Sequence, residues 1–214
     1  MVKIQTLSFF QLESRPATAT TPAELLHDHL KAVAGSARQI FGTVSDRIET
    51  RISKRDLRKV AYWMGATHDI GKGTQFFQDH LNHIPSTEPN FLLLKSHSYI
   101  SSLYCSWIIQ NSNIPSDVKD FLQTSAALGL QGHHGSLKFP NTYLDRLTDF
   151  FNKKIFERQI NSFVVNELEA ISQSLGLPSF RDFSQNWEDA FTDLGRKLMN
   201  MDQILNNFPI RNEP

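Results

Sequence analysis

The 214-residue chain holds one cysteine, Cys105. A single thiol excludes an internal disulfide and any cysteine-rich zinc site, and it fits a reducing compartment. No apolar run approaches the roughly 20 residues that span a bilayer, so no membrane partner is expected. The opening stretch, MVKIQTLSFFQLESRP, has a single lysine and no small-residue cleavage pattern; a cytoplasmic location without a secretory leader is expected. An excess of either charge is also missing: 22 Lys+Arg stand against 22 Asp+Glu. That balance argues against coating nucleic acid or an anionic membrane by bulk attraction, and leaves room for a local basic patch. What is present is ordinary for a folded domain, 40% hydrophobic and 21% charged residues. A chain this long buries a sizeable core without staples.

Hydrophobic spacing is helical over most of the chain. Thr20-Thr21-Pro22 reads as a helix start, followed by Leu26, His29, Val33, Ala37 and Ile40 at steps of three and four. His27 falls off that face and is expected in solvent. A second helix opens near Ser53, with Leu57, Val60, Ala61 and Met64 as its stripe. Four residues on, the stripe runs into His68, and Gly71 and Gly73 end the helix. Thr74 can cap a short helix, and His97, Ser101, Tyr104 and Ile108 share one face of another. Pro115-Ser116 starts the next, which stops at Gly132-His133-His134-Gly135. Tyr143 to Leu175 reads as one long helix or two. The last helix carries Trp187, Phe191, Leu194, Leu198, Asp202 and Leu205. Ile4, Leu7, Phe9 and Phe10 permit at most a short strand or hairpin. The expected fold is all-α: a single domain over residues 1–214, with an extension at 1–20 and a core at about 21–206.

His29, His68, His97 and Asp202 each occupy a position where a core residue belongs, and each is on a different helix. Burying an ionisable group is costly unless it is paired or binds metal. One such histidine is ordinarily a core imidazole bonded to a carbonyl. Four positions, with a His68-Asp69 pair and a tandem His133-His134, point instead to a metal site. Imidazole nitrogen and carboxylate oxygen suit Mn, Fe, Co, Ni or Zn better than bare Mg²⁺, which prefers oxygen and water. A carboxylate such as Asp69 can bridge two ions, and such a pair clamps the attacking and leaving oxygens of a phosphodiester.

Thr67-His68-Asp69-Ile70-Gly71-Lys72 resembles the signature of the HD phosphohydrolase superfamily. With His29-Leu30 and its following Val33-Ala34, the later His97, the Gly132-His133-His134-Gly135 turn and a late helical Asp, the set resembles the HD nuclease of type I CRISPR systems. The resemblance covers roughly residues 23 to 206. It implies an HD-domain helical bundle with two divalent ions (Mn, Fe, Co or Ni, with Mg admitted). It assigns His29, His68, Asp69 and Asp202 to one ion, and Asp69, His97, His133 and His134 to the other. Asp69 and Lys72 would be catalytic, the lysine beside the scissile phosphate. Ser98 follows His97 where family members often carry an acid.

The implied activity is metal-dependent hydrolysis of DNA, preferentially single-stranded, in antiviral interference. The implied partners are a CRISPR-associated helicase, separate or fused, and an RNA-guided effector complex. Two alternatives stand beside it. An HD-type nucleotide phosphohydrolase or phosphodiesterase would keep the metals and change the substrate, although the Gly-Tyr-Pro motif of the cyclic-dinucleotide class is missing. A catalytically inactive helical subunit of an effector complex would keep only the fold. The end of the chain shortly after Asp202 suits a stand-alone nuclease or a domain of a longer polypeptide. The segment from Arg47 to Lys59 has a local cationic excess. A solvated helix face explains it, and the alternative is a phosphate-guiding patch on Arg51, Arg55, Arg58 and Lys59. His80, His83 and Cys105 are expected in solvent or packing roles, and most of the 16 phenylalanines in the core.

Overall fold

The structure is a computed structural model that describes residues 11–16, 22–47, 50–133 and 152–207. Among the described residues the fold is all-α apart from one two-stranded antiparallel pair, β1 (Glu13–Arg15) with β2 (Glu24–Leu25). Ile4 to Phe10, where a strand was expected, lies outside the described residues, as do Thr20 and Thr21. Helix α1 (Leu26–Ser45) starts later than Pro22 because Glu24 and Leu25 pair with β1 first.

α2 (Lys54–Thr67) begins at Ser53, whose side chain accepts from the Asp56 N–H, a one-turn N-cap. The two helices pack tightly because Gly65 has no side chain. A Cβ there would stand 2.8 Å from the Ala34 Cα. The buried line of α1 is Leu26, Leu30 and Ala34, and Ile40, assigned to the buried face, is exposed. The true stripe is rotated by one residue, which leaves His29 half-buried on its margin.

A 3-10 turn (Ile70–Gly73) follows α2, then α3 (Gln75–Leu81), capped by Thr74 as expected. A short α4 (Phe91–Leu94) precedes α5 (Ser98–Gln110) and α6 (Ser116–Gly132). α5 is the central helix: Ile100, Leu103, Tyr104, Cys105, Ile108 and Ile109 are buried. The Tyr104 hydroxyl is satisfied by Pro178 O at 2.6 Å and Ser172 Oγ at 3.1 Å, and its ring packs on Phe180 and Phe183. Burial pushes the Cys105 thiol up to about 12, as befits a packing residue.

Of the Tyr143–Leu175 expectation, residues 143–151 lie outside the described residues. The rest forms two helices, α7 (Lys153–Asn161) and α8 (Val165–Ser174). The break at Phe163 serves a backbone bridge to Thr74. A short α9 (Phe180–Gln185) precedes the expected final helix, from about Ser184, which is two: α10 (Trp187–Met199) and α11 (Met201–Asn207). Asn200 leaves helical geometry (φ −101°, ψ 18°), so the stripe that ran through Leu194 and Leu198 loses phase there. Asp202, expected on that buried stripe, is exposed as a result. Leu205 is outside the residues whose side chains are described. No described helix is long and apolar enough to cross a membrane.

Candidate metal centre

The titratable cluster is built from helix ends. His29 sits in the first turn of α1, His68 closes α2, His97 opens α5 and His133 closes α6. Adjacent residues in a continuous helix point about 100° apart. Asp69 escapes that rule because its backbone (φ −117°, ψ 11°) breaks the helix, so His68 and Asp69 face the same point. Gly71 permits the rest: a Cβ there would lie 2.3 Å from His97 O and 2.2 Å from the Ile100 side chain. Its N–H donates to Ser101 Oγ, which fixes the 3-10 turn against α5.

Asp69 is the hub, with 2% of its side chain exposed. Its Oδ2 lies 3.1 Å from His29 Nε2, 3.3 Å from His68 Nε2 and 2.7 Å from Lys72 Nζ. Its Oδ1 lies 3.0 Å from His97 Nε2 and 3.2 Å from His133 Nε2. Each oxygen therefore serves two imidazoles. Burial alone would raise the Asp69 pKa; the contacts from His133, His29, His68 and His97 outweigh it and hold the carboxyl well below the usual range. Two histidines beside the same carboxylate shift in opposite directions, although Asp69 favours the charged form of both. The Asp69 contact raises His29, whereas burial dominates at His97 and lowers it.

The donor set fits divalent metal. His68 Nδ1 lies 2.8 Å from Gly65 O, and His133 Nδ1 is bonded to Leu130 O. A carbonyl only accepts, so both rings carry their proton on Nδ1, and in the neutral form a lone pair on Nε2. Those lone pairs point at the Asp69 carboxylate, and His68 Nε2 is also 3.0 Å from His29 Nε2. Lone pairs facing lone pairs call for a cation between them. Two groups of ligand atoms, each within 4.8 Å, meet that need: His29, His68 and Asp69, and Asp69, His97 and His133.

Several side chains near the cluster were not singled out from sequence. Glu24 Oε2 lies 3.4 Å from His29 Nδ1 and 3.1 Å from Ser14 Oγ. Ser14 O accepts from Lys72 at 3.2 Å, and the Phe77 ring packs edge-on to His97. These come from the β1–β2 pair and α3, whose contacts no local motif announces. His27, expected in solvent, keeps only 14% of its side chain exposed and pairs with Asp28. His80 and His83 are exposed. Asp202 belongs to neither ligand group, and His134 lies outside the described residues. Arg51 and Arg55 are exposed; Arg58 reaches Gly42 O and Asp46, and Lys59 stacks over Trp63 at 4.7 Å.

Helices closing end-on around a shared aspartate with four histidines define a metal-dependent phosphohydrolase of the HD type. The description "Cas3, HD domain" matches residues 14–201, and the chain belongs to that family, whose members are CRISPR-associated metal-dependent nucleases. HD domains bind divalent metals, and the family's setting is a CRISPR system with a helicase and an effector. Comparison with curated proteins and with solved structures finds no match.

Proposed function

We propose that the chain is a nuclease that hydrolyses phosphodiester bonds of DNA, preferentially single-stranded, in CRISPR interference. The observation that carries this is the sharing of Asp69: one buried carboxylate offers one oxygen to His29 and His68 and the other to His97 and His133. These five side chains would hold two divalent ions, with Asp69 common to both. The bound ions would supply Lewis-acid charge for the phosphoryl oxygens and activate water at neutral pH.

The chain's own residues do the rest. The carbonyls of Gly65 and Leu130 fix two imidazole tautomers so that Nε2 would be the ligand atom. Lys72, held by Ser14 O at 3.2 Å, keeps a fixed positive charge at the site, suited to neutralising a phosphoryl oxygen as charge builds there. Phe77, packed on His97, restricts water on that side. The exposed Asp202 has no part in this arrangement. A flexible single strand reaches a site recessed among helix ends more easily than a duplex, and a helicase in the effector complex would present it.

The test is Asp69→Ala protein with Mn²⁺ and labelled single-stranded DNA, beside the wild type. Loss of cleavage in the variant supports the reading, and undiminished cleavage overturns it. Turnover of free nucleotides by the wild type with no cutting of DNA would move the substrate to the nucleotide class.

A further inference from the structure

A second charged feature lies on α1 and α2, toward the opposite ends of the same two helices. One cleft, of about 730 Å³, is bordered by Arg38, Gly42, Asp46, Arg47 and Arg58. A neighbouring cleft of about 400 Å³ is bordered by Arg38, Arg55, Arg58, Lys59 and Tyr62. Arg38 and Arg58 belong to both, so the two form one continuous groove.

Among the described residues its lining is cationic with a single acid, and that acid is occupied: Asp46 pairs with Lys54 at 3.3 Å and Arg58 at 3.1 Å. Arg58 lies down against α1, where its guanidinium donates to Gly42 O at 3.2 Å. Its Nε is buried and finds no acceptor among the described residues, although the other end of the guanidinium is bonded to Gly42 O and Asp46. Tyr62 has already given its hydroxyl to Leu175 O at 2.7 Å, so what it offers the groove is ring surface.

We infer that this groove binds the phosphate backbone of a single-stranded nucleic acid, on the segment next to the one being cut. Guanidinium forks match phosphate oxygens, and a free ring face accepts a base, a combination that suits a nucleic acid better than an acidic peptide. The inference rests on the nuclease reading above. Arg38 is nine residues beyond His29 on α1, a rise of about 14 Å. At roughly 3.4 Å per phosphate along a stacked strand, a strand must extend about four nucleotides from the metal centre to reach it. Arg51, the other exposed arginine of this region, borders neither cleft.

Binding of a fluorescent 15-nucleotide single strand in chelator, where no cleavage occurs, tests the groove apart from the chemistry. Each phosphate contact contributes about 0.7 to the salt slope for single strands, so the double variant Arg38→Ala, Arg55→Ala should lower the slope by about 1.4 and weaken binding roughly 10- to 30-fold at 0.1 M salt. Both side chains are exposed, so the melting temperature should not change. Arg51→Ala and Lys154→Ala, each of which removes one positive charge elsewhere, should bind like wild type. Equal affinity in all variants overturns the inference, as does an equal loss in the two controls. Tighter binding of a polyglutamate peptide than of DNA, lost in the double variant, would also overturn it and make the groove a protein-docking site. If the double variant loses binding while wild-type protein with Mn²⁺ cuts no DNA, the groove stands and the nuclease reading fails.

Discussion

Two buried charges anchor this fold, Asp69 at the helix ends and Lys197 on α10, and they are treated in opposite ways. Lys197, 4% exposed, gives its ammonium to Asp193 at 2.7 Å, Asp120 at 3.0 Å, Gln123 Oε1 at 2.5 Å and Gln110 Oε1 at 3.2 Å. A donor with three protons meets acceptors only, so the cluster is complete in itself and ties α5, α6 and α10 together. Asp69 meets four imidazoles, of which at least two have Nδ1 committed to a carbonyl and, in the neutral form, turn a lone pair toward it. Lys72 supplies one cation, and the remaining arrangement calls for more. Both groups are buried and hydrogen-bonded, yet only the second is built to receive a ligand. What separates a structural ion network from a metal centre here is the match of donors to acceptors, not burial.

The sharpest break of that contrast is Asp69→Ala. Cleavage should fall on the order of 10³-fold, since the several kcal/mol supplied by bound metal would be lost. The stabilisation that metal gives the wild type, about 2.7 kcal/mol at one hundred times its dissociation constant, should vanish from thermal melts. Lys197→Met should do the reverse. It should cost about 2–3 kcal/mol of stability by urea unfolding, less than for a fully buried pair because Asp120 is 58% exposed, and keep the metal-induced increment. Equal metal responses in the two variants would erase the distinction.

Glu24→Ala should weaken metal binding about tenfold in titration calorimetry, with the fold intact, because the carboxylate beside His29 Nδ1 orients that ring from outside the ligand set. A smaller effect is expected at Asp193. Burial would raise its pKa, but the Lys197 and Arg196 contacts outweigh that and lower it. A depressed folded value gives stability that is present above the unfolded pKa and lost as pH falls below about 4. Asp193→Asn should therefore flatten the acid limb of stability, measured by urea melts from pH 6 to pH 3. The smallest effect is reserved for Asp202→Ala. An exposed carboxylate outside both ligand groups should leave metal affinity within about twofold of wild type.

The legible part of the site was the part carried by local spacing. His68-Asp69 with the glycines after it signals a helix end with two polar groups at one point, and His97 and His133 mark the ends of their own helices. The placing of Asp202 on a buried stripe fails because one non-helical residue, Asn200, shifts the phase of everything after it, and an unbroken count of three and four cannot register that. Glu24 stayed hidden because its partner is fixed by the pairing of β2 with β1, not by position along a helix. Arg38 was hidden for a related reason. On α1 alone it is one more exposed arginine, and only the packing of α2 against Gly42 makes it the shared wall of a groove.

The even balance of charge and the lone cysteine were determined by the sequence itself. So were the helical periodicity, the helix caps at Ser53 and Thr74, and the identity of the metal-suited residues, because each depends on the chain's own covalent order. The tertiary structure decided which of those residues meet. Gly65 against Ala34 and Gly71 against His97 are approaches of backbone to backbone, possible only where a side chain is missing on one side and a specific partner stands on the other. Such contacts bring residues 29, 68, 97 and 133 to one carboxylate and leave residue 202 outside, since convergence in space depends on how helices cross and not on how their residues are spaced.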